Sequence, residues 1–196
     1  CKQVQFYTGG NAGVQEGQAT TTGYMLFKRF NRSISKTSPG VASQNRPSII
    51  FRLADFYLIY AEVANEVNPS DSRVLTYLNL VRERAGLPKV EILNPGIVGN
   101  KELQRAAIQR ERQIELATEG QRYFDVRRWM IADKDGEGRQ NGYAHGMNVR
   151  GTINDTEEFN RVVETEKIVF NRKMYLQPIP DHEMRKTQNL VQNPGW

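Results

Sequence analysis

Arg110–Trp129 reads Arg-Glu-Arg-Gln-Ile-Glu-Leu-Ala-Thr-Glu-Gly-Gln-Arg-Tyr-Phe-Asp-Val-Arg-Arg-Trp. The stretch predicts the end of one helix, a break at Gly120 and the start of another. The upstream helix begins near Asn100, a residue type whose side-chain oxygen caps helix N-termini. Glu102 falls in its first turn, where the helix dipole favours a carboxylate. At 3.6 residues per turn, Leu103, Ala107, Ile114 and Ala117 share one face, and Arg110 falls in the middle of it. An arginine on a core-facing stripe has to be paired, because an unmatched buried charge costs several kcal/mol. Glu111, Glu115 and Glu119 recur every four residues along the flank, and Arg122, Asp125 and Arg128 stand three apart beyond the glycine. A helical hairpin this charged requires another hairpin to pack on.

The partner hairpin lies upstream. In Arg52–Val67, apolar residues from Leu53 to Val67 cover more than half of the helical circumference, leaving a narrow stripe for Asp55, Glu62 and Glu66. That pattern predicts a helix buried on several sides. Asn68-Pro69-Ser70 breaks it, and Ser70 or Asp71 supplies the next cap. Val74, Leu78, Val81 and Ala85 then keep helical spacing until Gly86 and Pro88 stop the chain. Two helices joined by so short a turn form a hairpin of the tetratricopeptide kind, about 35 residues long, close to one such repeat. The expected fold is therefore mainly α, with tetratricopeptide-like hairpins and long irregular loops.

Composition narrows the function. The chain has 196 residues, one cysteine and two histidines. Cys1 alone makes no internal disulfide, thiolate zinc cluster or Cys-x-x-Cys pair, and His145 and His182 are too few for a multi-histidine metal site. No metal and no cofactor is expected. The formal charge is +5. Residues 1–50 hold six Lys/Arg and one acid, so the remaining 21 basic and 21 acidic residues balance. The excess belongs to a loop-rich leader and not to a reading helix, which argues against nucleic-acid binding. No apolar run is long enough to cross a bilayer.

Residues 1–50 are read as a loop-rich segment packing on sequence that precedes them, and 51–196 as the helical region with its excursion and tail, in the same domain. Phe6, Tyr7 and Tyr24 are frequent rings for so polar a leader, and rings on loops stack on sugars and peptides. They are the candidate ligand-binding residues. Tyr143 and His145, in the Gly/Asp/Asn-rich excursion of residues 132–160, rank behind them, and Trp129 is read as core. Arg161–Phe170 is read as a short strand or loop. Tyr175-Leu-Gln-Pro-Ile-Pro180 is extended, since two prolines forbid a helix. Asp181–Met184 is one turn, and Asn193-Pro-Gly-Trp196 leaves a terminal ring to dock.

Five ordered landmarks together resemble one family. They are the helix Arg52–Glu66, Leu80-Val-Arg-Glu-Arg-Ala-Gly-Leu87, the Arg110–Trp129 stretch, Tyr175–Pro180 and Gln192-Asn-Pro-Gly-Trp196. The series is similar to the C-terminal part of the SusD/RagB-like outer-membrane lipoproteins of Bacteroidetes. That resemblance implies a fragment of a longer chain, and a non-catalytic binder of oligosaccharide or polysaccharide at the cell surface. It further implies delivery to a SusC-like TonB-dependent transporter, with the lipid anchor outside this segment and Cys1 an ordinary internal cysteine. Peptide uptake and a repeat-type interaction scaffold are the alternatives. Arg52, Asp55, Glu62, Arg110, Glu111, Glu115 and Arg128 are then expected to interlock the hairpins. A glycoside hydrolase using Glu111 and Glu115 ranks last, because catalytic carboxylates flank a substrate across a cleft and these sit on one packed helix.

Overall fold

The computed structural model describes residues 22–24, 26, 28, 49–134, 142–149 and 162–196. The chain divides into two compact units, Arg46–Trp129 and a second formed by Cys1–Asn45 with Met130–Trp196.

The first unit is helical. Helix α1 spans Leu53–Val67, α2 Ser72–Arg84, α3 Val90–Leu93, α4 Lys101–Glu115 and α5 Gln121–Arg128. Local chemistry sets the boundaries. The Asp71 carboxylate accepts from Arg73 N at the start of α2, and Asn100 Oδ1 accepts from Leu103 N at 3.2 Å at the start of α4. Gly120, at φ +85°, takes the left-handed conformation that side chains resist, and so turns the chain between α4 and α5. Leu58 and Ala61 of α1 meet Val74, Leu78 and Val81 of α2, with Val90, Ile97 and Ile108 closing the core. Asn65 Nδ2 donates to Lys101 O at 3.0 Å, fastening the end of α1 to the beginning of α4.

Two expectations need correction. The buried face of α4 is Gln104, Ile108, Glu111 and Arg112, whereas Leu103, Ile114 and Arg110 are exposed. Apolar periodicity misplaced this face because three of its four buried side chains are polar, held inward by partners on other helices. The other correction concerns α1. It buries Asp55, Leu58, Ala61 and Asn65, but Leu53, Phe56, Val63 and Val67 are exposed, so among the described residues it is covered on one side.

In the second unit, β1 (Gly142–Met147) pairs antiparallel with β2 (Val162–Ile168), with a register shift between Ala144 and His145. The sequence suggested β2 but not β1, whose two glycines and lack of β-branched residues give a weak strand signal. The tail is stapled through polar groups. The Gln192 amide accepts from Ile179 N at 2.8 Å and donates to Ile179 O at 2.9 Å, imitating a β-ladder pair. Asn193 Nδ2 donates to Gln177 O, and Trp196 Nε1 reaches the carbonyls of Lys173 and Leu176, both at 3.1 Å. Helix α6 (Asp181–Met184) is the single turn expected. Tyr175 Oη donates to Asp133 Oδ1 at 2.5 Å, a bond that holds the Asp133 carboxyl below its ordinary range.

Candidate functional site

The acidic and basic motifs of the helical unit resolve into three clusters of ion pairs. Arg112, 3 % exposed, lies at the centre of the first. Its Nη1 donates to Asp55 Oδ1 at 2.9 Å, and its Nε and Nη2 donate to the two oxygens of Asp125 at 2.9 and 3.1 Å. Arg128 extends the chain of charges, its Nε on Asp125 Oδ1 at 2.9 Å and its Nη1 and Nη2 on the Glu62 carboxylate. Trp129 Nε1 donates to the same carboxylate at 2.7 Å, so this ring is half-buried and anchored, not presented as a platform. Arg52 donates through Nε to Glu119 Oε2 at 2.7 Å, through Nη1 to Glu115 Oε1 and through Nη2 to the Glu115 carbonyl at 2.5 Å, capping the end of α4. Arg82 holds Glu111 at 2.8 Å, and Arg84 holds Glu115 at 2.7 Å.

These pairs join α1, α2, α4 and α5 through the nominated Arg52, Asp55, Glu62, Glu111, Glu115 and Arg128. Arg112 stands where Arg110 was expected, and Arg82, Arg84, Glu119 and Asp125 are partners that had not been assigned this role. They also account for the carboxylate pair once weighed as catalytic. Glu111 accepts from Arg82 and Glu115 from Arg52 and Arg84, so both carboxylates serve as ion-pair partners between helices. Nearer the solvent, Glu66 accepts from Arg105 Nε at 2.6 Å and Nη2 at 2.8 Å, and these bonds hold its pKa down to about 2.

The candidate ligand surface lies in the second unit. Thr22 O accepts from Met147 N at 2.9 Å, which ties Thr22–Tyr24 to the end of β1. The tie is tight. A Cβ on Gly146 would stand 2.6 Å from Thr22 Cα, so only glycine lets the two backbones approach this closely. Tyr24 is 58 % exposed, and Tyr143 and His145 are exposed on β1 itself. Lys167, opposite Tyr143 in the ladder, places its ammonium 5.8 Å from that ring's centre, and Glu164 faces His145. The structure thus attaches the leader's Tyr24 to the strand that carries the two weaker candidates. Phe6 and Tyr7 lie outside the described residues. The role of β1 was missed because the contact depends on a backbone-to-backbone approach at Gly146, which no side-chain pattern advertises.

A groove of about 450 Å³ runs beside α2 in the helical unit, lined by Asp71, Thr76, Asn79, Glu83, Glu91 and Gln104 among others. Among the described residues no aromatic ring lines it. Asn79 spends its amide on Glu91 Oε2 and Val90 N, as a structural brace would. Among the described residues, no three His, Cys, Asp or Glu side chains are grouped to hold a metal ion, and no helix is long and apolar enough to cross a membrane.

Comparison with known proteins agrees with this geometry. The sequence profile of the SusD family matches residues 2–196. SusD-like protein P25 of Formosa agariphila is 44 % identical over 106 residues, covering 54 % of this chain and 19 % of the relative. SusD-like protein P2 of the same organism is 31 % identical over 153 residues, covering 76 % of this chain and 26 % of the relative. Among solved structures, BT4246 matches with a TM-score of 0.63 at 34 % identity, over 78 % of this chain and 24 % of that one. A SusD-like protein of Bacteroides fragilis gives 0.61 at 30 % identity, over 76 % and 26 %. The chain therefore spans about a quarter or less of the length of the relatives it matches. With a mainly helical scaffold locked by buried ion pairs and a profile match over residues 2–196, the chain belongs to the SusD family.

Proposed function

We propose that this chain is the C-terminal part of a cell-surface lipoprotein that binds oligosaccharide or polysaccharide without cleaving it. The bound glycan passes to a SusC-like TonB-dependent transporter in the outer membrane, and the lipid anchor lies in sequence preceding these residues. Family membership over residues 2–196 carries this reading. The ion pairs support it, because Glu111 and Glu115 are engaged by arginines within the helical scaffold and do not flank a cleft. Rings on loops outside such a scaffold are the usual glycan contacts. Tyr24 is the ring we assign to the ligand, with Tyr143 and His145 beside it and Phe6 and Tyr7 as further members.

The test is retention of the intact parent protein in polysaccharide-containing gels, with reducing ends assayed in parallel. Retardation by at least one glycan, lost or weakened in Tyr24→Ala and Tyr143→Ala, is the expected result. Retention unchanged in both variants would remove these rings from the site. Binding to peptides in place of glycans would move the ligand class to peptide.

A further inference from the structure

The groove beside α2 has no part in the glycan reading, and its lining calls for a different ligand. Gln104 of α4 lines it while only 1 % exposed, and its Oε1 accepts no hydrogen bond from the described residues. A buried amide oxygen without a donor is costly, and folds seldom keep one without a use.

Glu91 lines the same groove and is half-buried. Asn79 Nδ2 donates to its Oε2 at 2.8 Å. Asn79 is itself fixed, since it is 5 % exposed and its Oδ1 accepts from Val90 N at 3.0 Å. The amide therefore orients the Glu91 carboxylate without neutralising it. Among the described residues no cation pairs with Glu91. The other two acids of the groove differ, Asp71 being held by Arg73 at 2.6 Å and Glu83 approached by Lys89 at 3.6 Å. Leu75, Leu80 and Val98 give the groove an aliphatic wall.

A buried carbonyl oxygen, an uncompensated carboxylate and an apolar wall suit one chemistry. An ammonium donates three hydrogen bonds, accepts none and brings the missing positive charge. A methylene stem behind it lies along aliphatic side chains while the charged end meets the acceptors. A sugar ring finds no aromatic face there among the described residues. The volume of about 450 Å³ falls in the range of small-ligand sites.

We infer that this groove is a second ligand site, distinct from the candidate glycan surface around Tyr24, that takes the ammonium of a small linear aliphatic amine. Glu91 supplies the counter-charge, Gln104 Oε1 accepts a further hydrogen bond, and the aliphatic wall covers the stem. The inference stands whether or not the protein binds glycan.

The experiment titrates the intact parent protein calorimetrically with cadaverine, a linear diamine, and with pentanediol, which keeps the stem and loses the charge. Saturable binding of cadaverine and none of pentanediol is the expected result. Glu91→Gln keeps the shape and the Asn79 contact, and should weaken cadaverine binding by about tenfold or more, as loss of a hydrogen bond to a charged group does. Gln104→Leu should also weaken it while thermal stability holds or rises, because the change removes an acceptor that the fold leaves unused. A Gln104→Leu protein that loses stability would mark Gln104 as structural, and Glu91→Gln then decides alone. No binding of cadaverine, equal binding of pentanediol, or unchanged affinity in Glu91→Gln would overturn the inference. Preference for acetyl-lysine amide over cadaverine would overturn the assignment to a free amine and point to a lysyl side chain of a protein partner.

Discussion

Replacing Arg112 by alanine tests whether its buried ion-pair cluster holds the helical unit together. The substitution removes three hydrogen bonds and leaves Asp55, itself buried, without the guanidinium that neutralised it. Asp125 retains Arg128 Nε at 2.9 Å, so the damage falls mainly on one carboxylate. Removing one member of a buried pair costs about 3–5 kcal/mol, because the partner charge stays desolvated. Arg110→Ala is the control. It sits two residues away on an exposed position, and its cost should remain within about 0.5 kcal/mol. Both are read by urea unfolding of the intact protein, followed through the fluorescence of Trp129. Adding Asp55→Asn to Arg112→Ala removes the stranded charge, so the double variant should be less destabilised than the sum of the singles by about 1–3 kcal/mol. Equal costs for Arg110 and Arg112, or strict additivity with Asp55, would refute the reasoning.

Further outcomes follow from the same geometry. The Glu66 carboxyl titrates near 2 in the fold and near 4.5 when free, so its pairing stabilises above the higher value and is lost as pH falls between the two. Because Glu66 is substantially exposed, that loss is discounted to less than about 1 kcal/mol, and Glu66→Gln should flatten the stability profile across that window. A Glu66→Gln profile with the wild-type slope would show that this pair contributes nothing. Gly146→Ala should detach Thr22–Tyr24 from β1 by driving a Cβ into Thr22. Glycan retention should then fall as far as it does in Tyr24→Ala, while far-ultraviolet circular dichroism stays unchanged. Full retention by Gly146→Ala would separate the leader from the ligand surface.

Much of the helical unit was legible in the sequence because short-range chemistry wrote it. Asn100, Asp71, Gly120 and the Asn68–Ser70 break act within a few residues of where they stand, and each acts as expected. The segments Tyr175–Pro180 and Gln192–Trp196 were legible as landmarks but not as partners of one another. Only the structure shows the Gln192 amide completing the backbone of Ile179. The face of α4 was misread for a physical reason. Hydrophobic periodicity assumes that polar residues face water, and Glu111 and Arg112 face inward because Arg82, Asp55 and Asp125 wait there from other helices. Long-range compensation of that kind leaves no local trace. The candidate ligand surface was the least legible part. Tyr24 was picked for its setting in a polar leader, while its attachment to β1 depends on a glycine that in sequence looks like any loop residue.

The central claim is that the protein binds glycan and does not cut it. The most direct measurement is calorimetric titration of the intact protein with a panel of soluble oligosaccharides, with product sugars assayed from the same cell afterwards. The account predicts saturable binding of at least one glycan and no new reducing ends. Released sugar that disappears in Glu111→Gln or Glu115→Gln would contradict it, since these two carboxylates would then be acting as catalysts and not as struts.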